Sequence, residues 1–257
     1  MFEFTDVPDA DRRGAGVRYP ESFRICLEMK NLAIIPARGG SKRIPRKNIK
    51  PFMGKPIIAY SIEAALQSGL FDEVMVSTDD DEIASIARQY GASVPFMRGD
   101  KTSNDYATTT DVILEVLGKY GRDQTFDTVC CIYATAPFVT AKRIREAFSM
   151  LKDDIDSIFT CVAFSYPVQR GLYVKEGKIF MVHPEYLMTR SQDLEVIYHD
   201  AGQFYISNVK SFIANGSFWG QNTAGLILSE LEVQDLDTPT DWQLAEMKYS
   251  LIISSNE

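Results

Sequence analysis

The chain has 257 residues, which is enough for one large α/β domain or two small ones with a sizeable core. Its 35 acidic residues outnumber its 27 basic residues and give a formal net charge of −8, which argues against general binding of nucleic acid. No apolar run approaches the ~20 residues that cross a bilayer, so we expect no membrane span.

The first thirty residues are charged and lack the apolar core of a secretory signal. We therefore expect residues 1–30 to form a poorly ordered N-terminal extension, Met29 to be a candidate native start, and the protein to be cytoplasmic. The four cysteines include no CxxC pair and no Cys/His cluster, which favours reduced, buried thiols over a zinc site.

From Asn31 onward, short apolar runs alternate with amphipathic ones. The predicted strands are Leu32–Ala37, Glu73–Thr78, Ser93–Arg98, Thr128–Ala134, Ser157–Phe164, Gln203–Val209 and Leu231–Leu236. The predicted helices are Gly54–Ser68, Asp80–Tyr90, Thr109–Tyr120, Thr140–Leu151 and a last helix that opens at Thr238. The alternation predicts an α/β fold with a mostly parallel sheet in one domain over residues 31–257, with ligands at the carboxyl ends of the strands.

This alternation breaks between Tyr166 and Asp200. The stretch LYVKEGKIFMV predicts a β-hairpin that turns at Glu176-Gly177, and the polar segment MTRSQDLEVIYHD follows it. We interpret residues 166–200 as an excursion from the sheet that serves as a lid or as a dimer arm.

A basic loop follows the first predicted strand, in the stretch AIIPARGGSKRIPRKNIK. It holds six basic residues and no acid, which leaves 21 basic residues against 35 acids in the rest of the chain. Charge this local fits a small anionic ligand better than a large one. The expected phosphate contacts are the backbone N–H groups of Gly39, Gly40 and Ser41 and the charges of Arg38, Lys42 and Lys47. The alternative is a solvated basic turn, since the Walker A and GxGxxG patterns are absent.

Two carboxylates late in the chain, Asp235 and Asp237, project to one face if their segment VQDLD is extended. Such a pair can hold a Mg²⁺ ion that keeps several waters and takes oxygens from a bound phosphate. The alternative is that these residues cap or favour the helix that follows.

Three further stretches have a functional and a structural interpretation. The loop from Arg98 to Thr109 is rich in hydroxyl and amide groups and is a candidate contact for base and ribose, or else Thr108 only caps a helix. The residues from Ser77 to Asp79 are expected to cap the helix that follows. Phe218 and Trp219 belong either to the core or to a wall that faces a sugar.

The stretch IIPARGGSKRIPRKNIKPFMGKPIIAYSI resembles the N-terminal motif of the CMP-sialic acid synthetase family, the cytidylyltransferases that activate nonulosonic acids. VSTDD, the NDYATT loop, ATAPF and the late DLD fall in the family's order, so the resemblance covers nearly all of Asn31 to Leu251. TRSQDL and YHDAGQFY are most similar to the branch that acts on pseudaminic acid in bacterial surface-glycan pathways such as flagellin glycosylation. The resemblance implies a three-layer Rossmann-like fold of the nucleotide-diphospho-sugar transferase type, a homodimer, CTP and a nine-carbon sugar acid as substrates, and Mg²⁺ as cofactor.

The resemblance also implies roles for individual residues. The implied triphosphate contacts are Ala37, Arg38, Gly39, Gly40, Ser41, Lys42 and Lys47. The implied cytidine contacts are Asn48, Arg98, Ala107 and Thr109. The implied sugar-acid contacts are Thr135, Arg190, Gln203 and Tyr205, with Phe218 and Trp219 near them. Arg38, Lys47, Asp235 and Asp237 are the implied catalytic residues, and the last two are the implied ligands of Mg²⁺.

Two departures from the sialate enzymes bear on the substrate. Tyr133 stands where those enzymes commonly have the Gln of QPTSP, and the stretch from His199 to Gly202 replaces RPNG. Both departures argue against N-acetylneuraminate as the substrate. The resemblance of TRSQDL and YHDAGQFY favours pseudaminic acid, with CMP-N-acetylneuraminate or CMP-legionaminate synthesis as alternatives. Further candidates are a related nucleotidyltransferase that uses UTP, an aldose phosphate or an eight-carbon sugar acid, and a non-catalytic nucleotide-binding scaffold.

Overall fold

The computed structural model describes residues 29–121, 125–152 and 154–254. The chain divides into two compact units. Of the described residues, the first unit contains those up to Phe159 together with Gln203–Ala224, and the second contains Thr160–Gly202 and those from Gly225 to Ser254. All but the last two residues of the expected N-terminal extension lie outside the described residues, so the native start at Met29 stays a prediction.

The strands are β1 (Asn31–Pro36), β2 (Pro51–Phe52), β3 (Lys55–Pro56), β4 (Glu73–Ser77), β5 (Thr128–Ile132), β6 (Ser157–Ala163), β7 (Leu172–Lys175), β8 (Lys178–Met181), β9 (Tyr198–Asn208) and β10 (Thr223–Ile227). One sheet has the strand order β10-β6-β9-β5-β1-β4. The pairs β2-β3 and β7-β8 form separate antiparallel ribbons.

The helices are α1 (Ile58–Ser68), α2 (Asp81–Gln89), α3 (Asp100–Ser103), α4 (Thr109–Tyr120), α5 (Ala141–Met150), α6 (Val209–Asn215) and α7 (Pro239–Ser254). Short 3-10 helices cover Lys47–Ile49, Val168–Arg170, Pro184–Tyr186, Ser191–Asp193 and Glu230–Glu232. Within the described parts of the chain, no helix is both long enough and apolar enough to span a membrane.

Strand β1 occupies the centre of the first unit's core. Its residues from Asn31 to Ile35 are buried, as a continuous apolar run between two helical layers predicts. It pairs in parallel with β4 on one side and β5 on the other, so that Ile34 lies opposite both Met75 and Cys131. Strand β5 pairs antiparallel with β9. The predicted α/β fold is confirmed, and the carboxyl ends of β1, β4 and β5 lie at one edge of the sheet.

Two predicted strands were wrong. The segment Ser93–Arg98 makes only an isolated bridge between Ser93 and Met75, because Pro95 has no N–H group with which to continue a ladder. The segment Leu231–Leu236 contains no strand. Its start belongs to the 3-10 helix Glu230–Glu232, which is closed by a capping box between Ser229 and Glu232.

Local turn chemistry explains the other differences. The helix predicted from Gly54 begins only at Ile58, because Phe52 pairs with Lys55 across a tight turn with positive φ at Met53 and Gly54. Strand β10 escaped prediction because it contains Gly225, where a Cβ atom would lie 2.9 Å from Cys161 Sγ. Helix α6 was not predicted, because it begins directly where β9 ends, with no turn residue between them.

The predicted hairpin is confirmed in the second unit. Strands β7 and β8 pair around Glu176 and Gly177, whose φ angles are 52° and 74°, as the favoured two-residue hairpin turn requires. Apolar side chains on this hairpin are solvent-exposed, including Val174 at 71% and Ile179 at 67%.

Candidate active site

A cavity of about 440 Å³ lies in the first unit where β1 and β5 end. Nine residues predicted to contact substrate line it, namely Arg38, Ser41, Lys42, Lys47, Asn48, Arg98, Ala107, Thr109 and Thr135. They come from the loop after β1, the segment before α3, the start of α4 and the loop after β5. The parallel sheet therefore brings together side chains that are far apart in the sequence.

The cavity is strongly positive. None of its lining residues is acidic. Five cationic side chains line it, namely Arg38, Lys42, Arg43, Lys47 and Arg98. Arg98 is only 8% exposed, and its guanidinium donates from Nε to Ser77 Oγ at 3.1 Å and from Nη2 to the Ser77 carbonyl. Burial lowers the pKa of this guanidinium, which shows that it is held where water solvates it poorly. A polyanion is the ligand that suits such a lining.

One carboxylate bridges two of the predicted phosphate contacts. Arg38 Nη1 donates to Asp105 Oδ1 at 2.7 Å, and Lys42 Nζ donates to Asp105 Oδ2. The hydrogen bond from Lys42 and then that from Arg38 lower the pKa of Asp105, so the pair of cations faces an ionised acid. The loop before α4 thus supplies an anion to the basic loop.

The backbone of the glycine stretch is arranged differently from the predicted phosphate cradle. Ala37 is buried and donates its N–H to the Ser77 carbonyl at 2.9 Å. Gly39 donates its N–H to Asp79 Oδ1 at 2.8 Å, and Ser41 donates to the Gly39 carbonyl at 3.0 Å. The N–H groups of Gly39 and Ser41 therefore have acceptors within the protein, and phosphate binding by the backbone of this stretch, Gly40 included, stays a prediction.

The start of helix α4 combines capping with a place in the cavity wall. Thr108 and Asp111 form a capping box, so the capping interpretation of Thr108 is confirmed, and Thr108 lines the cavity as well. Asn104 Oδ1 accepts the N–H groups of Tyr106 and Ala107 and so shapes the loop that leads to the helix. These hydrogen bonds therefore hold the backbone that carries the hydroxyl groups of the loop and of the helix start.

The sequence profile described as cytidylyltransferase matches residues 32–218, a span that contains the whole lining of the cavity. The chain belongs to the cytidylyltransferase family. It is 43% identical over 228 residues to a pseudaminic acid cytidylyltransferase of Campylobacter jejuni, covering 87% of this chain and 97% of that protein. It is 39% identical to a CMP-N,N'-diacetyllegionaminic acid synthase of Legionella pneumophila, covering 85% of this chain and 95% of that protein.

The fold of this cytidylyltransferase is also found among solved structures. A CMP:2-keto-3-deoxy-manno-octonic acid synthetase in complex with CTP aligns with a TM-score of 0.62 at 20% identity, covering 86% of this chain and 99% of that chain. At this identity the alignment shows the shared nucleotidyltransferase fold and nothing finer.

The predicted sugar contacts of the cytidylyltransferase are divided between the units. Gln203 and Tyr205 lie buried in β9 of the first unit and do not line the cavity themselves. The Tyr205 ring lies 5.5 Å from that of Tyr133, which does line it. Phe218 is buried against Tyr205 and belongs to the core, whereas Trp219 is exposed and packs on Phe159. Arg190 belongs to the second unit, where it pairs with Asp193 at 2.7 Å.

The predicted magnesium ligands also belong to the second unit. Leu236 is buried between an exposed Asp235 and a half-buried Asp237. The Asp237 N–H donates to Asp241 Oδ2 at 3.1 Å. Within the described residues, no cluster of three or more His, Cys, Asp or Glu side chains could hold a metal ion. Two carboxylates nonetheless fit Mg²⁺, which keeps waters and takes phosphate oxygens for its other ligands.

Three acidic residues near the loop were missed as parts of the site. Asp80, and not the stretch from Ser77 to Asp79, caps α2 by accepting the Ile83 N–H at 3.0 Å. Asp79 and Asp105 contact the basic loop, as described above for Gly39 and its neighbours. The available signal was the acids of the VSTDD motif at the end of β4 and of the NDYATT motif before α4, since the basic loop contains no acid of its own.

Proposed function

We propose that this cytidylyltransferase transfers CMP from CTP to the anomeric hydroxyl of a nine-carbon nonulosonic acid, pseudaminic acid, and releases pyrophosphate. The observation that carries the proposal is the cavity lined by five cationic side chains. Its charge suits a triphosphate, and the identity of 43% over nearly the whole Campylobacter relative supports pseudaminic acid as the acceptor. Legionaminic acid is the second candidate, supported by the Legionella relative at 39% identity.

For this reaction the protein has mainly to position the two substrates and to stabilise the charge that develops on the phosphates. The anomeric oxygen attacks the α-phosphorus and gives its proton to water, while the bond from that phosphorus to the bridging oxygen breaks and pyrophosphate leaves with the electron pair. Arg38 and Lys47 stabilise the charge that develops on the triphosphate, because both are cationic and line the same cavity. Asn48, Arg98, Ala107 and Thr109 line the same cavity and hold the cytidine part.

Asp235 and Asp237 are the residues we assign to Mg²⁺. When bound, the ion offsets phosphate charge and lowers the pKa of a coordinated hydroxyl. The two carboxylates would supply hard oxygen donors from the segment around the buried Leu236.

The test is pyrophosphate release with CTP and Mg²⁺, comparing pseudaminic, legionaminic and N-acetylneuraminic acids, with UTP and ATP in place of CTP as controls. We expect release with CTP and pseudaminic acid alone. Release with another sugar acid would keep the chemistry and change the acceptor. No release with any acceptor would favour a non-catalytic nucleotide-binding protein.

We further propose a homodimer formed through the excursion over residues 166–200. Exposed apolar side chains along the hairpin support it, since soluble monomers rarely leave large apolar patches in water. The test is light scattering on the wild type and on Val174→Asp with Ile179→Asp. A dimer that becomes monomeric in the double variant supports the arm, and a wild-type monomer contradicts it.

A cytoplasmic location in a surface-glycan pathway completes the proposal. Among the described residues, Cys130, Cys131 and Cys161 are free and buried, as is usual in a reducing compartment. Cell fractionation with an antibody to the chain tests the location, and recovery outside the cytoplasm contradicts it.

A further inference from the structure

Arg46 differs from the basic residues that line the cavity, because its guanidinium binds the start of helix α2. Nη1 donates to Asp80 Oδ2 at 2.5 Å, and Nη2 donates to Asp80 Oδ1 at 3.0 Å and to Glu82 Oε2 at 2.5 Å. The backbone of Arg46 is in the left-handed region, with φ 55° and ψ 30°, which residues with a Cβ atom rarely adopt. The ion pair therefore holds an unusual bend just before the 3-10 helix that begins at Lys47.

Asp80 is fixed by more than this ion pair. Its Oδ1 also accepts the Ile83 N–H at 3.0 Å, which anchors the carboxylate to α2. A Cβ atom on Gly39 would lie 2.7 Å from Asp80 Oδ2, so the early part of the basic loop passes directly against this carboxylate. The neighbouring Asp79 accepts the Gly39 N–H at 2.8 Å. Glycine is thus required at position 39 for space.

The two carboxylates at the end of β4 therefore contact both ends of the basic loop. Arg38 precedes Gly39, which Asp79 and Asp80 contact, and Lys47 follows Arg46, which Asp80 binds. Asn48 Nδ2 donates to the Arg38 carbonyl at 2.9 Å and joins the two ends to each other. The cavity-lining cations Arg38 and Lys47 are each one residue away from a contact with this carboxylate pair.

We propose that Asp79, Asp80 and Arg46 are positioning residues of the cytidylyltransferase reaction. They set the places of Arg38 and Lys47 and do not touch the nucleotide. The inference rests on the proposed function, because it takes those two cations as contacts of the triphosphate. One base of the loop, Arg46, therefore holds the loop in place, and the acids that bind it and Gly39 follow strand β4.

The test uses the full chain and two conservative variants. Asp80→Asn keeps an N-cap side chain on α2 and removes the charge, and Arg46→Lys keeps the charge and removes the two-point geometry. Glu63→Gln is the matched control, because it breaks the Lys55–Glu63 ion pair of the same unit, away from the cavity. Each is assayed by steady-state pyrophosphate release, by calorimetric titration with CTP and by thermal unfolding.

We expect the KM and the Kd for CTP to rise at least fivefold in Asp80→Asn and in Arg46→Lys, with the KM for the sugar acid changed less than twofold. The double variant should be no more than twofold worse than the poorer single variant, because both remove the same contact. If these residues only stabilised the fold, the substitutions would lower the fraction of enzyme that is active, and so the apparent kcat. The KM and the Kd for CTP would then stay unchanged.

The inference is overturned if the KM and the Kd for CTP stay within twofold of the wild type in both variants. It is also overturned if these constants rise equally in Glu63→Gln. A wild type that binds CTP but releases no pyrophosphate would refute the proposed function, while the Kd values would still decide the positioning roles. A wild type that does not bind CTP would overturn both.

Discussion

Replacing Arg38 by alanine tests whether the cavity binds a triphosphate. A cation about 4 Å from a phosphate oxygen interacts by about 4 kcal/mol at an effective dielectric constant of ~20. The Arg38 side chain is 37% exposed, so screening by solvent reduces this to roughly 2–3 kcal/mol. We therefore expect kcat/KM for CTP to fall about 30- to 150-fold, since each 1.36 kcal/mol is a factor of about ten.

The same change should leave the fold intact. Arg38 pairs only with an exposed partner, Asp105, and exposed ion pairs add little stability, so the thermal midpoint should move by no more than about 3 °C. The assay is pyrophosphate release at varied CTP, with a thermal melt of each variant. Arg145→Ala is the control, because it removes a half-buried guanidinium of the same unit outside the cavity and should keep activity within twofold.

Arg38→Lys should give an intermediate loss of about tenfold, because it keeps the charge and loses the planar fork. An Arg38→Ala variant with activity within threefold of the wild type would refute the reasoning, since the cavity would then not bind phosphate through this side chain.

Four further predictions follow from the site. Asp105→Asn should lower the KM for CTP about threefold in steady-state assays, because the carboxylate then no longer competes with phosphate for two cations. Asp237→Ala should remove the dependence of turnover on Mg²⁺ and leave under about 1% of the activity, and a Mg²⁺ titration with normal response would contradict the metal assignment. Tyr133→Gln should raise relative kcat/KM for N-acetylneuraminic over pseudaminic acid about tenfold, measured in competing-acceptor assays. The Arg46 hydrogen bond lowers the pKa of Asp80 from 3.8 to about 2, so its stabilisation is complete above about pH 4 and is lost as the pH falls towards 2. The difference in thermal midpoint between the wild type and Asp80→Asn should shrink over that interval, and a constant difference would contradict the ion pair.

The elements that could be predicted from sequence are those whose signals are local. Helix α4 was predicted with the observed ends, Thr109 and Tyr120, because a capping residue precedes it and a glycine follows it. Strand β1 was predicted within one residue at each end, because a run buried on both faces has to be apolar throughout. The strand predicted over Ser93–Arg98 was wrong, because the apolar pattern was interpreted without regard to the missing N–H group of Pro95.

The site was predictable where charge is concentrated and unpredictable where contacts are long-range. Six bases in one loop predicted a place for an anion, and the position of the loop after a strand placed it at the edge of the sheet. The pairing of Arg46 with Asp80 spans 34 residues and that of Arg38 with Asp105 spans 67, and no pattern within a window of sequence encodes either. Sequence reasoning assigned the cap of α2 to the stretch from Ser77 to Asp79, one residue before the actual cap Asp80, and assigned no contact with the basic loop to any of these acids.

These contacts also explain why a basic loop occurs in an acidic chain. Cations brought together in one loop repel one another. In the structure, Asp105 bridges Arg38 and Lys42, and Asp80 binds Arg46, so each of these charges has an acid from another element. The exposed Asp105 can give way to phosphate, whereas Asp80 is also tied to a helix terminus and stays. Acidic residues from other parts of the chain therefore help to keep the loop in place. Of Asp80 and Asp105, we expect only Asp105 to compete with the nucleotide for the cations of the loop.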